Sequence, residues 1–198
     1  MKEYNKTALK IIKESLVEFG EKGYINASTN TISKNAGVSK GVVFLHFVSK
    51  VNLYYETFIY YLEELVSEIE KLSFKENLTF YEKAFELTYW KMDYFSTRIN
   101  EMNLLMEALS NPPLEIKEKV YSQTDKLSKM TISWFVEDLD MSEYDPLYTK
   151  EEVVKFISYA LAGLQQTILK PGVTKEYLMS IRDESLKYIE AVVKGMKK

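Results

Sequence analysis

The chain has 198 residues, of which 46% are hydrophobic and 28% charged, a composition typical of globular rather than disordered proteins. It contains no cysteine, which excludes disulfides, thiolate metal sites and a cysteine nucleophile. The first residues lead into an amphipathic pattern and not into a long apolar run. We therefore expect a cytoplasmic protein with neither a signal peptide nor a membrane span.

The net charge of −3 is distributed unevenly along the chain. Residues 1–50 hold eight lysines and four glutamates, a net charge of +4, which leaves −7 for the remainder. A basic head on an acidic body is typical of a protein whose head faces nucleic-acid phosphates. Ordinary surface lysines can produce the same asymmetry, so the charge alone does not decide between the two interpretations.

The first third of the chain is predicted to be helical. Apolar residues recur at helical spacing ahead of Gly20 and Gly23, which predicts a first helix over about residues 4–22. Polar residues that can cap a helix then precede each of three further apolar segments. We predict these helices over about residues 29–36, 40–47 and 50–72, with caps among residues 26–29, at Ser39 and at Ser49.

The remainder of the chain also shows helical periodicity. Proline, glycine and aspartate divide it into predicted helices over about residues 78–96, 98–109, 113–139, 150–169 and 174–196. No segment alternates apolar and polar residues long enough to indicate a sheet. We therefore expect an all-α protein of about nine helices.

Residues 29–47 have the pattern of a helix-turn-helix. Ile32 and Ala36 can pack one short helix against Val38 in the turn, and Gly37 allows the backbone to reverse there. The N-terminal residues of the second helix are the ones that usually meet base edges in the major groove. In this chain they are Ser39, Lys40, Gly41, Val42 and Val43.

This segment resembles the DNA-binding domain of the tetracycline-repressor (TetR) family of bacterial regulators over roughly residues 8–55. The matching residues, in order, are Phe19-Gly20-Glu21-Lys22-Gly23-Tyr24, Ile32, Ala36-Gly37-Val38-Ser39-Lys40-Gly41, Phe44, His46-Phe47, Ser49-Lys50 and Leu53. The resemblance implies phosphate contacts by Thr29, Lys40, Phe44, His46 and Lys50. It implies that Ser39, Val42 and Val43 face bases. The family commonly has tyrosine at the position of Phe44, so one phosphate hydrogen bond is expected to be missing here.

The resemblance further implies two domains. Residues 1–50 would form the DNA-binding domain, with the helix-turn-helix core at 29–47, and residues 51–198 would bind a ligand and dimerise. Large, partly polar side chains in the body suit the lining of an apolar cavity, although each alone fits an ordinary core. The candidate ligand-binding residues are Trp90, Tyr94, Met102, Met106, Met130, Trp134 and Tyr159.

The resemblance also implies that the last two predicted helices pair with those of a second copy. The candidate residues of this dimer interface are Phe156, Ala160, Gly163 and Leu164. Gln165 and Gln166, in an otherwise apolar stretch, fit the cavity, the interface or solvent equally well.

We therefore predict a homodimeric DNA-binding regulator. On family grounds it is a repressor, released from a nearly palindromic double-stranded operator by a small, largely apolar or aromatic effector. Valines at the reading positions favour an AT-leaning operator, because thymine methyl groups are what valine can contact. The alternative is a helical lipid- or ligand-binding module without DNA binding. An enzyme is not expected, because the chain has one histidine and no phosphate-loop or nucleophile motif, and we expect neither cofactor nor metal nor membrane partner.

Overall fold

A computed structural model describes residues 3–73, 78, 80–125, 139–168 and 175–198. The named elements in these ranges are all helical, so the expectation of an all-α fold is confirmed. The helices are α1 (Lys6–Asn26), α2 (Thr29–Asn35), α3 (Lys40–Phe47), α4 (Lys50–Ile69), α5 (Phe80–Ser96), α6 (Ile99–Ser110), α7 (residues 117–125), α8 (Lys150–Ile168), α9 (Lys175–Ser180) and α10 (Arg182–Lys194). Two 3-10 turns cover Leu114–Ile116 and Met141–Glu143. In the described ranges, no helix combines the length and the apolar character that crossing a membrane requires.

The chain divides into two compact units. Unit 1 consists of residues 1–72 and 97–127, and unit 2 of residues 73–96 and 128–198. Unit 1 therefore contains α1 to α4, α6 and α7, whereas unit 2 contains α5 and α8 to α10. The predicted boundary near residue 50 separates DNA binding from ligand binding and dimerisation. Because it divides functions and not compact units, it stays a prediction.

The core of unit 1 is built on the apolar stripe of α4. Leu53, Tyr54 and Phe58 are fully buried, and the stripe continues through Leu62 to Ile69 as its helical spacing predicts. The rings of Phe19 on α1 and Tyr54 meet edge to face, with their centroids 5.0 Å apart. Such pairs add directional contacts to the apolar burial, so they fix how α1 lies on α4.

A break in α1 at Gly23 changes the hydrogen bonding of that helix. Gly23 has φ 71° and ψ 167°, and the helix resumes through Asn26 instead of ending near residue 22. In an unbroken helix the N–H of Tyr24 would donate to the carbonyl of Gly20. Here that N–H donates to both carboxylate oxygens of Glu107, at 3.0 Å each, and the Gly20 carbonyl accepts from Asn103 Nδ2 at 3.0 Å. Two side chains of α6 therefore satisfy two of the backbone groups at the break, the N–H of Tyr24 and the carbonyl of Gly20.

Small residues let α6 approach α1 this closely. A Cβ atom on Gly20 would lie 2.6 Å from the backbone oxygen of Asn100, so no larger residue fits there. Gly23 has a left-handed φ, and a Cβ atom added to it would lie 2.8 Å from Oε1 of Glu107. Glu107 also accepts from the Tyr54 hydroxyl at 3.1 Å, which connects α1, α4 and α6 at one carboxylate.

The core of unit 2 lies between α8 and α10. Val153 and Ile157 on α8 pack in one buried cluster with Ile189 and Val193 on α10. The backbone N–H of Asp145 donates to the carbonyl of Met196 at 2.9 Å, which holds the loop before α8 against the end of α10.

The turn between α3 and α4 contains a strained residue. Val48 has φ 64° and ψ −47° and is the one residue other than glycine with a positive φ in the described ranges. The N–H of Ser49 donates to the carbonyl of Phe47 at 2.6 Å, which closes a γ-turn of the rare, strained type around Val48. A β-branched residue in this conformation costs about 1–3 kcal/mol.

Replacing Glu107 by alanine should destabilise unit 1 by about 2–4 kcal/mol, because the Tyr24 N–H and the Tyr54 hydroxyl each lose their acceptor. Urea unfolding followed by circular dichroism measures the change. The exposed Glu118 on α7 provides a control with the same change of charge, Glu118→Ala. Equal midpoints for the two variants would contradict this role of Glu107.

Replacing Val48 by glycine should raise the stability by about 1 kcal/mol, although it deletes a side chain. Val48 is 78% exposed, so little apolar burial is lost and the relief of strain exceeds the added chain entropy. Val48→Ala keeps a Cβ atom and should change the melting temperature much less. Thermal unfolding of both variants distinguishes strain from burial, and a lower melting temperature for Val48→Gly would disprove the explanation.

Candidate nucleic-acid interface

Serine caps define the start of each helix around the turn. The hydroxyl oxygen of Ser28 accepts from the N–H of Thr31 at 3.4 Å, and that of Ser39 accepts from Val42 at 3.3 Å. Ser49 begins α4 in the same way. The predicted caps at Ser39 and Ser49 are confirmed, and each offsets one of the unpaired N–H groups of a helix end.

The turn between α2 and α3 is closed by Gly37. This residue has φ 64°, and its N–H donates to the carbonyl of Lys34 at 3.1 Å. The N–H of Val38 donates to the carbonyl of Ser33 at 3.0 Å, which completes a Schellman motif. Ile32 is buried beneath the turn. The helix-turn-helix predicted over residues 29–47 is therefore present as α2, turn and α3.

Glu18 of α1 positions the start of α2. Its side chain is buried, and Oε1 accepts from the backbone N–H of Ser28 at 2.8 Å. The ammonium group of Lys22 lies 2.8 Å from Oε2 and neutralises the carboxylate. Sequence reasoning missed this role, because Glu18 in the chain looks like any other charge on an amphipathic helix.

The two faces of α3 differ in exposure. Val43 and Phe47 are buried and hold α3 against the rest of unit 1, so the prediction that Val43 faces bases is corrected: its side chain belongs to the core. Lys40 and Gly41 are exposed, and Val42 is half-buried. Leu45, one turn after Gly41 on the outward face, is 80% exposed. Sequence reasoning missed Leu45, although its spacing from Val43 and Phe47 sets it off the buried face.

The predicted phosphate contacts lie around this outward face. The ammonium group of Lys40 is 5.8 Å from the centroid of the Phe44 ring, within the range of a cation–π contact. Thr29 is the first residue of α2, and Ser39 is the cap of α3. The half-buried His46 lies beside Phe47, with the ring centroids 6.1 Å apart. Their contacts with DNA remain predictions.

Lys50 is already engaged within the chain. Its Nζ donates to the carbonyl of Ile25 at 3.1 Å and lies 4.9 Å from the centroid of the Tyr24 ring. Burial lowers the pKa of Lys50, and the nearby carboxylates of Glu18 and Glu107 oppose that shift. Lys50 therefore joins the start of α4 to the end of α1, and any phosphate it binds must share these contacts.

The candidate ligand-binding residues are divided between the two units. Trp90 stacks on the buried Tyr94 in unit 2, with centroids 5.1 Å apart, whereas Met102 is half-buried in unit 1. Met106 is 46% exposed and Tyr159 is 62% exposed, and their roles in ligand binding stay predictions. Met130 and Trp134 lie outside the described residues. Among those described, no group of three or more histidine, aspartate or glutamate side chains could hold a metal ion.

The candidate interface residues occupy different faces of α8. Phe156 is 44% exposed, and Gly163 is also exposed. Ala160 is buried in the core between α8 and α10, so the prediction that it faces a second copy is corrected. Leu164 is half-buried against apolar clusters of its own chain. For Gln165 and Gln166, whose backbones lie in α8, the side chains are outside the description.

The outward face of α8 combines Phe156, Tyr159 and Gly163 at successive helical turns. On α10, which packs against α8, Tyr188 is also exposed. Sequence reasoning did not include Tyr188, because a single tyrosine on a charged helix gives no signal of its own.

Comparison with known proteins agrees with this geometry. The profile of the family described as "Bacterial regulatory proteins, tetR family" matches residues 11–57. The chain is 24% identical over 195 residues to the uncharacterized HTH-type transcriptional regulator YuxN of Bacillus subtilis, covering 94% of this chain and 62% of YuxN. It is 25% identical over 169 residues to IcaR of Staphylococcus aureus, the HTH-type negative transcriptional regulator of the biofilm operon icaADBC, covering 85% of this chain and 86% of IcaR.

Solved structures share the fold. A transcriptional regulator (TerR/AcrR family) from Aquifex aeolicus VF5 superposes with a TM-score of 0.64 at 23% identity, over 92% of this chain and 99% of that one. The regulator FadR from Bacillus subtilis, in complex with stearoyl-CoA, superposes with a TM-score of 0.65 at 18% identity, over 95% and 98%. The capped helices, the Schellman turn and the outward face of α3 all lie within residues 11–57, the segment that matches the profile of the tetR family of bacterial regulatory proteins.

Proposed function

We propose that the protein is a cytoplasmic, dimeric repressor that binds a nearly palindromic operator through α2 and α3 and leaves it when a small, largely apolar or aromatic effector binds. The observation that carries this proposal is the outward face of α3, which presents Lys40, Gly41 and Leu45 within residues 1–50, whose net charge is +4 against −7 for the remainder. The description of IcaR as a negative regulator supports repression over activation.

Affinity and specificity would come from different groups of this face. Lys40 and the N–H groups at the start of α3 would contact phosphates, which position the protein without reading sequence. Val42 and Leu45 would read bases by apolar contact, because neither side chain can donate or accept a hydrogen bond. Thymine is the base with a methyl group in the major groove, which favours an AT-leaning operator.

Two copies would be needed to span the operator. The exposed aromatic residues on α8 and α10 supply apolar area that a second copy can cover by two-fold symmetry. In such a dimer the two α3 helices would enter successive major grooves about 34–36 Å apart. An effector that binds more tightly to a conformation in which the two α3 helices are farther apart or closer together would lower the fraction of dimers able to bind DNA.

The effector site would lie in the helical body. The stacked pair of Trp90 and Tyr94 supports an apolar or aromatic ligand, because such rings provide flat apolar surface with polar edges. FadR, a protein of the same fold, has been crystallised with stearoyl-CoA, which has a long apolar chain.

Replacing Lys40 by alanine should weaken binding to every DNA sequence by a similar factor and reduce the slope of log affinity against log salt by about 1, because one phosphate contact is lost. Fluorescence anisotropy with an operator obtained by binding-site selection measures both quantities. Lys187→Ala removes an exposed charge from unit 2 and serves as the control. Unchanged affinity and slope for Lys40→Ala, in a variant that remains folded and dimeric, would show that Lys40 makes no phosphate contact. Absence of salt-dependent DNA binding by the wild type would favour the module without DNA binding.

Replacing thymines of the selected operator by deoxyuridine should weaken wild-type binding by about 1 kcal/mol at the positions that Leu45 contacts, because the methyl group is lost. Leu45→Ala should bind both DNA duplexes with equal, reduced affinity. If the variant still prefers thymine as strongly as the wild type, Leu45 does not read the operator.

A further inference from the structure

Lys91 lies on the inward face of α5. Leu87, Thr88 and Tyr94 are the buried residues on this part of the helix. At about 100° per residue, Lys91 falls in the middle of the arc that these three side chains span. Glu86 and Asp93 are exposed and lie on the opposite side of the helix. The amphipathic pattern of α5 therefore has a lysine at the centre of its apolar face.

This lysine has no partner for its charge in the described part of the chain. No hydrogen bond or ion pair involves its ammonium group there, and burial is the sole influence on its pKa, which it lowers. Lysine normally extends its ammonium group to water, and a buried one is normally paired with a carboxylate. An unpaired lysine on a buried face costs stability, and such costs are typical of groups kept for binding.

Aromatic surface adjoins the lysine on the same helix. Trp90 precedes it, and Tyr94 lies one turn later, with the two rings stacked at a centroid separation of 5.1 Å. Here α5 thus presents flat apolar area next to a positive charge. Because Lys91 is half-buried and its ammonium group has lost part of its water, an incoming anion would gain a charge-assisted contact there.

We propose that Lys91 is the charged contact of the effector site and that the effector is an apolar or aromatic molecule with one anionic group, such as a carboxylate or sulfonate. This inference rests on the proposed effector function and narrows it to a chemical class. Neutral molecules of the same shape would bind more weakly, because they leave the ammonium group unpaired. Cationic molecules would be repelled.

A pair of fluorescent probes tests this assignment. 8-Anilinonaphthalene-1-sulfonate is apolar and anionic, and N-phenyl-1-naphthylamine has the same ring system without the sulfonate. Each probe is titrated into the full chain of the wild type, Lys91→Met, Lys91→Arg and Lys187→Met. The last variant removes the charge of an exposed lysine in the same unit and is the matched control.

We expect wild type to bind one molecule of each probe per protomer, with the sulfonate bound more tightly. Lys91→Met should weaken sulfonate binding at least about tenfold, the effect of losing a charge-assisted contact, and leave the neutral probe within about twofold. Lys91→Arg should retain most of the preference for the anion, and Lys187→Met should behave as wild type. The melting temperature of Lys91→Met without probe should equal or exceed that of wild type, because a desolvated charge is removed.

Two outcomes would overturn the assignment of Lys91 without affecting the proposed effector site. Equal affinities of wild type and Lys91→Met for the sulfonate would show that Lys91 does not contact the anion. Equal losses of both probes, with a lower melting temperature, would assign Lys91 to packing. In either case saturable binding of the neutral probe to wild type would leave the effector site itself intact. Absence of saturable binding of both probes to wild type would instead contradict the proposed effector site, and the assignment of Lys91 with it.

Discussion

The exchange of hydrogen bonds at Gly23 is the interaction on which the arrangement of unit 1 depends. The break at Gly23 deprives the Tyr24 N–H and the Gly20 carbonyl of their helical partner, and leaving both unpaired would cost several kcal/mol. Asn103 and Glu107 supply the missing partners from α6, a helix some 80 residues later in the chain. Because Glu107 also receives the Tyr54 hydroxyl, the positions of three helices are set by one carboxylate. Helix α6, which is not part of the helix-turn-helix, therefore fixes α1 and α4, the helices on either side of that motif in the chain.

Much of this fold could be predicted from sequence because its signals are local. Serine caps, the left-handed Gly37 and the apolar stripe of α4 act within a few residues of where they occur, so their chemistry identifies them. The outward face of α3 could not be predicted in the same way. Helical spacing places Leu45 on a different face from Val43 and Phe47, but apolar residues occur all round α3, so the sequence does not show which face is buried.

The roles of Glu18, Lys50 and Glu107 were invisible for a different reason. Each bonds to a backbone group distant in the sequence, and no spacing rule connects them to it. In the body, a large side chain with a polar end or a flexible thioether suits a core, a ligand site or a partly exposed position, so residue type alone does not show that Met106 and Tyr159 are exposed. Lys91 differs from these residues. Once the buried face of α5 is known, the spacing of Lys91 from Leu87, Thr88 and Tyr94 is enough to place a lysine at the centre of that face.

The position of Glu107 has a consequence for how this protein can be divided. The segment that matches the family profile stops at residue 57, yet the backbone of α1 is completed by side chains at positions 103 and 107. The segment that matches the family profile and the segments that complete the structure of α1 are therefore not the same piece of chain. A chimera that joins only the matched segment to another body would leave the Tyr24 N–H and the Gly20 carbonyl of α1 without these partners. The recipient would have to supply a carboxylate and an amide at the positions of Glu107 and Asn103.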